Sequence, residues 1–137
     1  MRRIIGLDLG SKTVGVAKSD LLHTLASPHK TIYFKNEDYS QALDLTVEEL
    51  SQFNVEKIVL GLPKHMSGEV GIRGEISLDF KKALEKAGFE VVLWDERLSS
   101  KAATSVLIEG NVSRKKRKTL IDQVAAVIIL QGYLDSL

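Results

Sequence analysis

Apolar residues recur in two rhythms along this chain, and the switches between them mark out its elements. Ile4 to Leu9 and Thr13 to Lys18 are short β-like runs, and Gly10-Ser11-Lys12 between them suits a hairpin turn. A third strand is expected within 25–34, beginning after Pro28, because proline tolerates the start of a strand but not its middle. Helical spacing takes over from Glu37 to Phe53, with Ala42, Leu45, Leu50 and Phe53 among the apolar positions. Lys57 to Gly61 is a compact apolar run of the kind buried in a parallel sheet. Residues 61–74 hold four of the ten glycines and one of the two prolines, which predicts a loop or lid. A helix is expected from Glu75 to Ala87, with Gly88 as its stop, and Phe89 to Trp94 reads as the last strand. Ser99 or Ser100 could cap a helix through Ile108; after a basic loop, a final helix is expected from Leu120 to Leu134.

The order is three strands, a helix, a strand, a helix, a strand and two helices. A meander followed by alternation predicts an α/β domain: a mixed five-stranded sheet flanked by helices, the pattern of the ribonuclease H-like fold. In open sheets of this kind, sites form beyond the carboxyl ends of the strands. The 137 residues suit a single domain over 1–137 with no internal repeat. At 44% hydrophobic and 27% charged, the composition fits a folded soluble protein. No apolar run reaches the roughly 20 residues that span a bilayer, and no signal peptide is visible. Cysteine is absent, which excludes disulfides and thiolate zinc sites and fits a cytoplasmic location.

The net charge of +1 carries little information, whereas its distribution carries more. Arg114, Lys115, Lys116, Arg117 and Lys118 supply 5 of the 19 basic residues, and the other 14 face 18 acids. Positive charge is thus concentrated where a phosphate contact would need it, although a basic run can equally be a solvated loop.

Three acids abut hydrophobic elements: Asp8 in IIGLDLG, Asp95 or Glu96 after FEVVLW, and Asp122 in TLIDQVAAVIIL. A carboxylate at an apolar run is costly unless something neutralises it. Asp8 shares its strand face with Gly6 and Gly10, which leaves space for an ion or a phosphate. Asp122 is expected in the first turn of the last helix, where the helix dipole alone would explain it. Its stripe of Ala125, Ala126 and Ile129 nevertheless suits close packing on a sheet. Converging carboxylates would bind Mg²⁺ or Mn²⁺, the ions that drive phosphodiester hydrolysis. Lys64 and Arg73, in the glycine-rich segment, and Arg97 are candidate phosphate contacts. His65 is a candidate acid or base in an exposed loop, and His23 and His29 have no metal-ligand spacing.

Four blocks in this order, GLDLGSKTVGVAKSD at 6–20, GLPKHMSGEVGIRG at 61–74, DERLSS at 95–100 and KKRKTLIDQVAAVIILQGYLD at 115–135, span nearly the whole chain. In them the chain resembles the YqgF family of RuvC-like proteins, described as Holliday-junction-resolvase-like and as pre-16S rRNA nucleases. The resemblance implies a metal-dependent nuclease with Asp8, Glu96 and Asp122 as catalytic acids and metal ligands, and it selects Glu96 over Asp95. It implies processing of the 5′ end of pre-16S rRNA, with a monomer or weak homodimer acting on nucleic acid and no membrane. A DNA junction resolvase and a non-catalytic RNA-binding or transcription factor are the alternatives. A hexokinase-like phosphotransferase would need two such domains. His65 stands where the family more often has Asn, and Ser99 and Ser100 where Thr is more frequent.

Overall fold

The computed structural model describes residues 2–63, 70–95 and 114–137, and for residues 114–122 the backbone alone. In chain order the elements are β1 (Arg3–Leu9), β2 (Thr13–Ser19), β3 (Ala26–Tyr33), α1 (Tyr39–Leu50), β4 (Val55–Leu62), α2 (Ile72–Lys86), β5 (Val91–Asp95) and α3 (Arg114–Asp135). They build one five-stranded sheet in the order β3-β2-β1-β4-β5. β1 pairs antiparallel with β2 and parallel with β4; β2 pairs antiparallel with β3, and β4 parallel with β5. This is the expected mixed sheet with helices on both faces.

The strand alternation assigns each face its core. Ile5, Leu7 and Leu9 of β1 join Val14, Val16, Ile58 and Leu60 beneath Ala42 and Leu50 of α1 and Phe80 and Leu84 of α2. On the other face Ile4, Ala17 and Val59 pack under Ala126, Ile129, Leu130 and Leu134 of α3. β1 is buried on both sides, and each fully enclosed aliphatic side chain contributes about 1.5–3 kcal/mol. No helix among the described residues is long and apolar enough to cross a membrane.

Several boundaries differ from the sequence expectation for identifiable reasons. β3 starts at Ala26 and contains Pro28. It tolerates the proline because β3 is an edge strand and because the ladder shifts there, Val16 pairing with Lys30 and Ala17 with Pro28. β4 runs on to Leu62 and α2 begins at Ile72, so at the two ends of the expected loop over 61–74, Gly61 and Leu62 belong to the strand and Ile72, Arg73 and Gly74 are helical. The largest correction concerns α3. The helix starts at Arg114, so the basic run is its first turns and not a loop, and Asp122 lies mid-helix and not in a first turn. Five consecutive cations at a helix N-terminus oppose the helix dipole, and the apolar stripe that docks further along overrides that penalty. The expected helix from Ser99 or Ser100 to Ile108 lies outside the described residues.

Candidate active site

Asp8 sits near the carboxyl end of the central strand. Alternation turns Leu7 and Leu9 toward α1 and α2, and turns Ile4, Gly6 and Asp8 toward α3. Asp8 is half-buried and pairs with Gly15 on β2. Gly6 marks where the helix comes closest: a Cβ there would lie 2.7 Å from Leu130 Cβ and 2.9 Å from the Ala126 carbonyl oxygen. Only glycine lets α3 rest on β1 at this distance. Two residues later, beyond the point of closest approach, the strand presents Asp8.

Two glutamines fix the course of α3. The Gln123 Nε2 donates to Thr31 Oγ1 at 2.8 Å. Two turns on, Gln131 Oε1 accepts from the Ala26 amide at 2.9 Å, and its Nε2 donates to the Thr24 carbonyl at 3.0 Å. Thr31 pairs with Gly15, which pairs with Asp8; Ala26 pairs with Ser19, whose hydroxyl accepts from the Ile4 amide at 2.9 Å. The helix therefore runs antiparallel to β1, from the level of Asp8 to that of Ile4. The Asp122 backbone, one residue before Gln123 and one turn before Ala126, lies at the level of Asp8. Its stripe continues through Ala125, Ala126 and Ile129, all at most 1% exposed.

β5 approaches the same edge. Leu93 packs with the α1/α2 core, whereas Trp94 turns to α3 and meets Tyr133 edge-on at 6.0 Å. Asp95, opposite Leu62, is the last residue of the strand. Glu96, Arg97, Lys64 and His65 lie outside the described residues.

On the α1/α2 side, Arg73 is the second residue of α2 and reaches the same strand end. Its Nη2 donates to the Leu9 carbonyl at 3.2 Å and its Nη1 to the Tyr39 hydroxyl at 2.9 Å. Tyr39 carried no sequence signal, since its partner lies 34 residues away. Arg114 to Lys118 extend α3 beyond Asp122, and Arg114 is about 12 Å from it along the axis at 1.5 Å per residue.

The remaining histidines serve the fold. His23, at φ +58°, is held with its Nε2 2.7 Å from the Arg2 carbonyl. His29 meets Glu49 at 2.9 Å and packs edge-on against Phe53. That hydrogen bond is the main reason the Glu49 carboxyl titrates below its ordinary range. Among the described residues no three His, Cys, Asp or Glu side chains are grouped to hold a metal. Of the three expected acids, only Asp8 has a described side chain.

The comparisons agree with this architecture. The model of the family described as "RuvX: Holliday junction resolvase" matches residues 2–136. A protein of Bacillus cytotoxicus named "Putative pre-16S rRNA nuclease" is 52% identical over 135 residues, covering 98% of both chains. One of the same name from Staphylococcus saprophyticus is 49% identical over 137 residues, covering 98% of this chain and 96% of that one. Among solved structures, T. thermophilus RuvC in complex with a Holliday junction substrate superposes with a TM-score of 0.62 at 14% identity, over 99% of this chain and 95% of that one. At that identity the likeness speaks for the ribonuclease H-like fold. The four sequence blocks, the sheet order and the full-length family match lead to one conclusion: the chain belongs to the RuvX (YqgF) family.

Proposed function

We propose that this chain is a nuclease that hydrolyses phosphodiester bonds in precursor 16S rRNA, in the cytoplasm, using Asp8, Glu96 and Asp122 with a bound Mg²⁺ or Mn²⁺. The observation that carries the reading is the antiparallel crossing of α3 over Gly6, which brings the Asp122 backbone to the level of Asp8 at the carboxyl edge. Family membership and the names of the half-identical relatives support a nuclease acting on ribosomal RNA.

The donor set fits a hard divalent ion. It is all carboxylate oxygen, without thiolate or imidazole, and Gly6 and Gly10 flank Asp8 on its own face. On β5, Leu93 belongs to the α1/α2 face and Trp94 to the α3 face. By that alternation Asp95 belongs with Leu93, and the choice of Glu96 as the third acid is what the family resemblance implies. When bound, the metal supplies an activated water and neutralises charge on the leaving oxygen. Asp8, Glu96 and Asp122 hold and orient it. Lys64, Arg73, Arg97 and the run Arg114 to Lys118 grip the backbone, with an affinity that falls as salt rises.

Cleavage of a four-way DNA junction is the second reading, favoured by the family description and by the junction-bound RuvC neighbour. It requires two symmetric cuts and hence a homodimer on the substrate. The deciding experiment compares Mn²⁺-dependent cleavage of precursor 16S rRNA and of a four-way junction by the wild type and by Asp8→Asn. Cleavage of the RNA alone, lost in Asp8→Asn with an unchanged melting temperature, is expected. Undiminished cleavage by Asp8→Asn overturns the assignment.

A further inference from the structure

We infer that Tyr39 is a positioning residue for the nucleic-acid backbone: its hydroxyl holds the Arg73 guanidinium, cocked toward substrate, at the carboxyl end of β1. The inference rests on the proposed phosphate-binding role of Arg73.

Both ends of the Arg73–Tyr39 hydrogen bond are fixed by structure that does not depend on it. Tyr39 opens α1, whose first turn is locked by two hydrogen bonds: Asp38 Oδ1 accepts from the Gln41 amide at 3.1 Å, and Gln41 Oε1 from the Lys35 amide at 2.6 Å. Its ring packs on Phe34, centroids 5.8 Å apart. Arg73 is anchored through its neighbour Gly74, where a Cβ would lie 2.8 Å from the Pro63 carbonyl oxygen. The start of α2 thus presses on the end of β4.

The chemistry of the two acceptors matters more than their distances. A phenol and a peptide carbonyl are both neutral, so they orient the guanidinium without cancelling its charge. Among the described residues, two of the five guanidinium N–H donors are engaged, and three remain for a phosphate. A carboxylate partner would have neutralised the cation instead. An unrestrained exposed arginine loses rotamer entropy when it is immobilised, and a pre-oriented one loses less. The location completes the case. Leu9 directly follows Asp8, and the two emerge on opposite faces, so a strand laid across the sheet edge meets Asp8 on one side and Arg73 on the other.

The test measures the dissociation constant of a short single-stranded RNA by fluorescence anisotropy, without cleavage, for the wild type, Tyr39→Phe, Arg73→Ala and the double variant. Tyr39→Phe keeps the ring on Phe34 and is expected to bind about fivefold more weakly, with an unchanged melting temperature. The double variant should bind no worse than Arg73→Ala. The slope of log K against log salt should shrink by about 0.7 in Arg73→Ala and stay constant in Tyr39→Phe. Equal losses from Tyr39→Phe in the presence and absence of Arg73, or no loss at all, overturn the inference. An Arg73→Ala variant that binds like the wild type instead overturns the phosphate role on which the inference rests. Loss of the nuclease reading alone would appear in the Asp8→Asn cleavage comparison and leave these binding ratios unchanged.

Discussion

Gln123 and Thr31 are joined across the boundary between helix and sheet, the side-chain amide of one donating to the hydroxyl of the other at 2.8 Å. Thr31 is only 8% exposed. Its hydroxyl, left alone, would carry the penalty of a buried unsatisfied group, about 1–3 kcal/mol. Gln123→Ala should therefore destabilise the fold more than Thr31→Val, which removes the buried hydroxyl along with its partner's role. The double variant should cost less than the sum of the two. Urea denaturation of the four proteins checks this, and strictly additive losses would contradict it.

Gly6 allows a second prediction. A methyl group there meets Leu130 Cβ and the Ala126 carbonyl, neither of which is the free end of a flexible side chain. Gly6→Ala should destabilise by about 1–3 kcal/mol through overpacking. It should also lift α3 from β1, so cleavage by the remaining folded protein should fall although no carboxylate has changed. Full activity at conditions where the variant is entirely folded would disprove the close-contact role.

Acid should loosen the molecule at two places. Glu49 is held below its ordinary value of 4.5, chiefly by the hydrogen bond from His29. Its folded value is depressed, so its contribution is present above pH 4.5 and is lost as pH falls through the folded value. The other is Asp20, lowered from 3.8 to about 2 by the Thr24 hydroxyl and by the Leu25 and Thr24 amides. Its contribution goes between pH 3.8 and about 2. Melting temperature against pH should flatten below 4.5 in Glu49→Gln and below 3.8 in Asp20→Asn.

The helical course of the basic run makes the four residues after Arg114 unequal. Lys115 and Lys118 lie seven and four residues before Asp122, on its stripe, whereas Lys116 and Arg117 fall on other sides of the helix. Lys115→Ala and Lys118→Ala should weaken RNA binding more than Lys116→Ala and Arg117→Ala. Equal losses across the four, measured at one salt concentration, would mean that the run acts as a diffuse charge.

Much of this architecture was legible in the chain. Period-two alternation put Asp8 on the face of Gly6 and Gly10, and the small stripe behind Asp122 indicated a helix docked on a sheet; both features are local. Pro28 was misleading because its tolerance depends on an edge position and a register shift, neither visible along a single strand. The basic run reads as a loop because local electrostatics disfavours a helix start there, and the docking that outweighs it comes more than a turn later. The tie from Arg73 to Leu9 spans 64 residues, and nothing in either segment announces it.

α3 runs from Arg114 to Asp135 as one helix, so the cations at its start and Asp122 share a single rod. A rod transmits displacement, and a hinge would absorb it. On the proposed reading, in which the basic run grips RNA and Asp122 serves the metal, any substitution that tilts one end of the helix to hold RNA harder also displaces the Asp122 backbone, so tightness of grip and speed of cutting are mechanically linked. Selection for one would carry the other with it, and improving either alone would require a break in the helix between Lys118 and Asp122.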